Sequence, residues 1–136
     1  MNQRRVVITG LGQVSPVGND PASAWQNLLA GKSGINTITR FDASELACQI
    51  AGEVKDFDIG AYLPAKEARR MDVFIHFGIA AALQAVADAG LDDVADLDKN
   101  RVGVNIGSGI GGLPLIEETA NVLQKGGPRK INPFFI

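Results

Sequence analysis

Cys48 and His76 are the only residues of their kinds in the 136-residue sequence, and together they could form a nucleophilic pair. Such a pair needs the two side chains in hydrogen-bond contact, with the thiolate in an electropositive setting. Nothing near Cys48 supplies that setting, and His76 follows Asp72 at the spacing of an Asp–His contact on a helix surface. We therefore interpret Cys48 as a packed cysteine and His76 as a surface histidine, and expect no catalytic residue in this chain. One cysteine and one histidine are also too few for a metal site, so we expect no bound metal.

A second candidate is a basic cluster, Lys66, Arg69 and Arg70, whose spacing places the three side chains on one face of a helix. They would lie in the first two turns of a long helix, where cations oppose the helix dipole. Glu67 can pair with Arg70 and leaves two charges unmatched. The cluster therefore suggests an anionic macromolecule or a phosphate-bearing ligand, and the alternative is an ordinary solvated charged face.

The sequence has a dense run of glycines at Gly107-Ser108-Gly109-Ile110-Gly111-Gly112. A phosphate-binding loop would carry a lysine and a hydroxyl residue after the glycines, whereas this run continues into Leu113 and Pro114. Ile110 is the one large side chain within the run. This pattern favours the gating of a hydrophobic ligand over the binding of an anion, and the alternative is a tight turn between a strand and a helix.

Gly10-Leu11-Gly12 follows a β-branched segment and invites a dinucleotide-binding hypothesis. That function needs a tight turn that opens a helix at once, so that the pyrophosphate meets the helix N-terminus. Here Ser15 occupies the third glycine position, and the next helix starts only after Asp20. A glycine-rich turn explains the segment better, and a nucleotide-dependent oxidoreductase is the least favoured function.

The elements that must position these residues follow an α/β order. Apolar, β-branched residues predict strands at 4–9 and 101–107 and a short strand at 50–54, with 32–49 irregular and 91–100 an acidic connection. Asp20 and Gly31 bracket one helix, which has Pro21 in its first turn. Apolar periodicity predicts a long helix from Ala65 to Ala89, ended by Gly90, and another from Pro114 to Lys125. We expect a mostly parallel sheet.

Composition limits the class of protein. The sequence is 46% hydrophobic and 21% charged, with a net charge of -2, which is globular and argues against a general nucleic-acid binder. No run approaches the ~18 apolar residues of a membrane span, and no signal peptide is evident. We expect a soluble, cytoplasmic protein without membrane or nucleic-acid partners. The apolar end, Phe134-Phe135-Ile136, is unusual for a terminus, so we expect a truncated domain over residues 1–136.

Several segments together resemble the β-ketoacyl-[acyl-carrier-protein] synthases, and the later segments are closest to the type II members of bacterial fatty-acid synthesis. In chain order, the segments that carry the resemblance are Arg4–Gly12, Ser15–Gly18, Leu29–Ile35, Lys66–Asp72, Gly107–Leu113 and Gly126–Phe135. The resemblance implies a thiolase fold of two similar βαβαβ-type halves, in a homodimer roughly three times this length. Residues 1–136 would be the incomplete first half of that α/β fold, with a mostly parallel sheet.

The resemblance also implies an activity. In the family, a cysteine takes an acyl group from the carrier protein, malonyl-carrier protein is decarboxylated, and the carbanion attacks the thioester while two histidines stabilise charge. That cysteine and both histidines lie beyond the Pro-Phe-Phe segment. The resemblance therefore implies that the chain alone is inactive, and it implies no cofactor.

The resemblance further implies roles in recognition. Lys66, Arg69 and Arg70 would dock the acyl carrier protein, in its acyl-loaded and malonyl-loaded forms. Ile110 would gate the acyl pocket, and Phe134 and Phe135 would lie by that pocket at the dimer interface. A stand-alone module that binds carrier protein or a full-length synthase is the alternative function.

Overall fold

A computed structural model describes residues 4–135 of the chain, which divides into two compact units. One unit comprises Met1–Asp58 and Ala80–Leu97, and the other Ile59–Ile79 and Asp98–Ile136. The elements in chain order are helix α1 (Pro21–Leu29), strands β1 (Ile35–Thr37) and β2 (Ile50–Gly52), and helices α2 (Ala65–Ala68), α3 (Val73–Asp88) and α4 (Leu113–Gly126). Within residues 4–135, none of the helices has the length and apolar character needed to cross a membrane.

Helix α1 forms where its flanking residues predict it. The Asp20 carboxylate accepts a hydrogen bond from the Ser23 N–H at 2.8 Å, and Pro21 occupies the first turn. Gly31 follows the helix with φ of 67°, the left-handed conformation that glycine adopts without steric cost. Gly90, with φ of 65°, likewise follows the end of α3, as predicted. Helix α4 matches its predicted span to within one residue at each end.

The predicted strands at 4–9 and 101–107 do not form, and this prediction is wrong for the described structure. Both segments lack a neighbouring strand among residues 4–135, and a strand needs hydrogen bonds from a neighbour to be stable. Their side chains are consequently exposed, with Val6 at 95%, Ile8 at 82% and Val104 at 82% of their full accessibility.

The sheet that the described residues do form is antiparallel and has two strands. β2 begins at Ile50 as predicted and ends at Gly52, two residues early, while β1 falls in the segment predicted to be irregular. Ile35 pairs with Gly52 and Thr37 with Ile50. The Glu53 carboxylate, directly after β2, accepts hydrogen bonds from the backbone N–H and hydroxyl of Thr39. The expected parallel sheet stays a prediction.

The long helix predicted over Ala65–Ala89 is interrupted, so that continuous helix is also wrong. Two helices, α2 and α3, are separated at residues 69–72, because the Asp72 carbonyl accepts the first backbone hydrogen bonds of α3. Arg69 and Arg70 therefore follow the C-terminal end of α2. They do not lie in the first turns of a long helix, and the inference that they oppose its dipole fails.

The core of the chain is small. Its buried apolar residues are alanines, namely Ala24, Ala43, Ala68 and Ala80, and no large side chain is fully buried among residues 4–135. In the first unit, Gly10 and Gly12 pack directly on α3, where a Cβ at either position would overlap helix carbonyl oxygens. The Leu11 N–H donates to the Asp88 carboxylate at 2.8 Å. The close approach to α3 explains the two glycines. The negative charge of the Asp88 carboxylate argues against pyrophosphate binding at this turn.

Candidate functional site

The six residues proposed for recognition all lie in the second unit. Four of them line one cavity of about 270 Å³: Arg70, Ile110, Phe134 and Phe135. Arg69 lines an adjoining cavity of about 250 Å³ that also contacts Arg70 and Phe134. Lys66 lies on α2 and is exposed. The structure therefore brings most of the basic cluster together with the predicted pocket residues.

Arg70 directly links the basic cluster to the residues that line the cavity. Its guanidinium carbon lies 4.8 Å from the centre of the Phe134 ring, which is a cation–π distance. Phe134 is held by Asn132, whose side-chain oxygen accepts the Phe134 N–H at 2.9 Å and whose carbonyl accepts the Phe135 N–H at 2.9 Å. This turn positions both phenylalanines at the wall of the cavity.

The glycine loop, residues 107–112, contains a hydrogen bond between its two halves. Gly111 has φ of 78° and donates its N–H to the Ser108 hydroxyl at 3.1 Å. A Cβ at Gly107 or Gly109 would meet nothing within 4 Å. Ile110, 71% exposed, lies just before Gly111. Open space therefore surrounds Gly107 and Gly109, whereas a hydrogen bond joins Gly111 to Ser108.

Asp72 is the residue that sequence analysis missed at this site. Its carboxylate accepts hydrogen bonds from the Val73 N–H, at the start of α3, and from the Leu115 N–H in the first turn of α4 at 3.3 Å. The same carboxylate occupies the space where a Cβ of residue 112 would lie. One signal in the sequence was available, because Gly112 stands before a helix and has no side chain to cap it.

The interpretation of Asp72 and His76 as a surface pair is wrong. The His76 Nε2 atom lies 2.9 Å from the Ala68 carbonyl oxygen, and Asp72 is engaged by backbone N–H groups. Cys48 is exposed rather than packed, with its Sγ 3.6 Å from the Ile50 carbonyl oxygen. Among residues 4–135, no three side chains of the metal-binding types are grouped so that they could hold an ion.

Comparison with known proteins shows which family the chain belongs to. The profile of the family described as "Beta-ketoacyl synthase, N-terminal domain" matches residues 3–136. The chain belongs to the β-ketoacyl synthase family. The family resemblance inferred from the sequence segments is therefore confirmed.

Two curated relatives show how much of a synthase the chain represents. The chain is 56% identical over 136 residues to the 3-oxoacyl-[acyl-carrier-protein] synthase 2 of Coxiella burnetii, covering all of this chain and 33% of the relative. It is 53% identical over 136 residues to the enzyme of the same name from Vibrio harveyi, covering all of this chain and 32% of the relative. The chain thus spans about a third of the length of these synthases.

Solved structures agree with the sequence relatives. A β-ketoacyl synthase from Burkholderia phymatum superposes with a TM-score of 0.75 at 26% identity, covering 97% of this chain and 33% of that one. A type II PKS ketosynthase, solved in complex with its acyl-carrier protein, superposes with a TM-score of 0.72 at 31% identity, covering 98% of this chain and 35% of that one. These ketosynthase structures support the α/β class of the fold.

Proposed function

We propose that residues 1–136 form the N-terminal part of a 3-oxoacyl-[acyl-carrier-protein] synthase of the type II group, acting as a homodimer in the cytoplasm. Identity above 50% over the whole chain to two enzymes of that name supports this assignment. The full-length protein would condense an acyl-enzyme thioester with malonyl-carrier protein. Malonyl loses carbon dioxide, the resulting carbanion forms the new carbon–carbon bond at the acyl carbonyl, and the cysteine leaves as its thiolate.

In this proposal the chain supplies recognition of the carrier protein. Lys66, Arg69 and Arg70 are exposed cations on one short segment, and an acidic carrier protein is the partner that complements them. The similar type II PKS ketosynthase forms a complex with its own acyl-carrier protein, which supports this class of partner. Docking here would place the thioester beside the cavity that Arg70 shares with Ile110.

The second contribution is the wall of the acyl pocket. Phe134 and Phe135 offer apolar surface to an acyl chain, and the exposed Ile110 would open or close the entrance. The observation that carries the proposal is the Arg70 guanidinium over the Phe134 ring at 4.8 Å. This contact makes the docking surface and the pocket wall neighbours in one unit.

Carrier-protein binding tests the docking surface. We expect the double variant Lys66→Glu/Arg69→Glu to bind acyl carrier protein at least ~10-fold more weakly at low salt by isothermal titration calorimetry, because two attractive charges become repulsive. Wild-type affinity should fall as salt is raised, since exposed charges are screened. Arg70 is left intact because its replacement would also disturb Phe134.

Lys32→Glu/Lys55→Glu is the matched control, because both lysines are exposed and lie in the other unit. It reverses two charges, as the test variant does, and should leave carrier-protein affinity within ~2-fold of wild type. Unchanged binding in the test variant, or an equal loss in the control, would contradict the docking surface.

Acyl transfer tests the catalytic part of the proposal. Labelled acyl-carrier protein should acylate the full-length protein and should not acylate the 136-residue chain. Covalent label on Cys48 of the chain would contradict the proposal. Carrier-protein binding without acylation of the full-length protein would instead support the stand-alone interaction module.

A further inference from the structure

The start of α4 has backbone donors that the proposed function leaves unexplained. A helix begins with backbone N–H groups that have no partner inside the helix. Pro114 removes one of these donors, and Gly112 has no side chain to satisfy another. The glycine loop ends at this point, so whatever satisfies the remaining donors also fixes the position of the loop.

Asp72 satisfies one of them from a distant part of the sequence. Its carboxylate accepts the Leu115 N–H at 3.3 Å while it also accepts the N–H of Val73. One negative charge therefore lies at the N-terminal ends of two helices, α3 and α4, where the helix dipoles favour it. The carboxylate is also pressed against Gly112, in the space that a Cβ would occupy there.

The position of Asp72 in the chain places its contacts beside the cavity. Asp72 comes two residues after Arg70, and both residues line the cavity that contains Ile110 and Phe134. The Arg70 contact with Phe134 holds one wall of this cavity. The Asp72 contacts hold the C-terminal end of the glycine loop, next to Ile110. The short segment 70–72 therefore touches both the pocket wall and the loop.

We propose that Asp72 is a positioning residue that anchors the C-terminal end of the glycine loop and so sets the place of Ile110 at the acyl pocket. This inference rests on the proposed function for the role of Ile110. The anchoring itself rests on the Asp72 contacts alone. Asp72 touches no reacting atom; it acts through Gly112, Leu115 and the loop.

Hydrogen exchange in the full-length protein tests the anchoring. We expect Asp72→Ala to increase exchange at the Leu115 amide by about fivefold or more, the size expected when a helix loses a cap. Asp72→Asn keeps an acceptor oxygen and should retain most of the protection. An unchanged Leu115 amide in Asp72→Ala would overturn the proposal.

A double-variant cycle tests the crowding. Gly112→Ala should perturb the loop, because the new Cβ would overlap the Asp72 carboxylate. Adding Asp72→Ala removes the overlapping oxygen and carboxyl carbon. It should therefore recover part of the free energy of unfolding that Gly112→Ala loses. Additive effects of the two substitutions would show that the residues act independently and would contradict the anchoring.

Steady-state kinetics of the full-length protein test the effect on Ile110. We expect Asp72→Ala to raise KM for long acyl-carrier substrates severalfold, with a much smaller change for malonyl-carrier protein, whose short group does not need the acyl pocket. A purely structural defect would lower kcat for all substrates together. Uniform loss would therefore overturn the positioning role. Absence of activity in the wild-type protein would overturn the proposed function and leave the exchange result to decide the anchoring.

Discussion

At the scale of single residues, glycine decides where two backbones can touch. Gly12 lies against the Ala81 carbonyl of α3, and the neighbouring Gln13 N–H donates to the Gln84 side chain at 3.0 Å. The segment that contains Gly12 carries no strand contacts in the described structure, so this approach to the helix is what holds it. A larger residue would separate the two backbones and lengthen the hydrogen bond.

We therefore predict that Gly12→Ala lowers the free energy of unfolding of the chain by about 1–3 kcal/mol, the usual cost of overfilling a tight contact. Urea unfolding followed by circular dichroism measures this change. Gly103→Ala is the matched control, because a Cβ there meets nothing within 4 Å. It should stay within about 0.5 kcal/mol of wild type. Equal effects at the two positions would contradict the contact.

At the scale of elements, the start of α1 depends on an ionised carboxylate. The Ser23 N–H and hydroxyl donate to Asp20 at 2.8 and 2.7 Å, and these hydrogen bonds lower the pKa of Asp20 below its ordinary value of 3.8. Folding thus favours the charged form. The stabilisation is fully present above pH 3.8, the unfolded value, and is lost as the pH falls through the lower pKa of the folded state.

We predict that Asp20→Ala destabilises the chain by about 1 kcal/mol at pH 7, the typical value of a helix cap, and that the difference from wild type shrinks towards pH 2. Urea unfolding at pH 7, 4 and 2 measures the difference. Glu45→Ala removes an exposed carboxylate outside any helix and should have a small effect at each pH. A gap that persists unchanged at pH 2 would contradict the role of the charge.

The helices and strands also show how much of the secondary structure could be predicted from the sequence. Helix ends were predictable because caps such as Asp20 and Gly31 act on their own neighbours in the chain. The break at 69–72 was not, because apolar periodicity continues across it and Asp72 starts a new helix through contacts that periodicity does not encode. The strands at 4–9 and 101–107 have strand-like sequences, but a strand also needs a neighbour, which local sequence cannot supply.

The candidate site was predictable to a similar degree. The basic cluster and Ile110 stood out by their residue types and their unusual neighbours, and the family resemblance gave them roles. Their meeting around one cavity with Phe134 depends on contacts between distant parts of the sequence. Asp72 was missed because its partner, the Leu115 N–H, is a backbone group, and the residue types in the sequence do not indicate such a partner.

At the scale of the whole molecule, the chain exposes more surface than its mass predicts. Its accessible area is 11089 Å², whereas a folded monomer of 14.3 kDa exposes roughly 6,800 Å². Much of the exposed surface is apolar, and Val6, Ile8, Val104 and Trp25 are each more than half exposed. Exposed apolar surface of this kind favours association with another protein surface.

We predict that the 136-residue chain associates with itself in solution and binds an apolar dye, and that the full-length protein binds far less dye. Sedimentation velocity and dye fluorescence measure the two effects. Ile8→Ser/Val104→Ser removes two of the most exposed apolar side chains and should weaken the association. A stable monomer that binds no dye would contradict the prediction.

The crowding of Asp72 against Gly112 has an evolutionary consequence. Position 112 does not tolerate a side chain while Asp72 stays, because that side chain needs the space that the carboxylate fills. Natural selection should therefore treat the two positions as a unit. Across many relatives, we expect homologues that replace the glycine to carry a shorter residue in place of the aspartate, a paired substitution that ties together sites far apart in the gene.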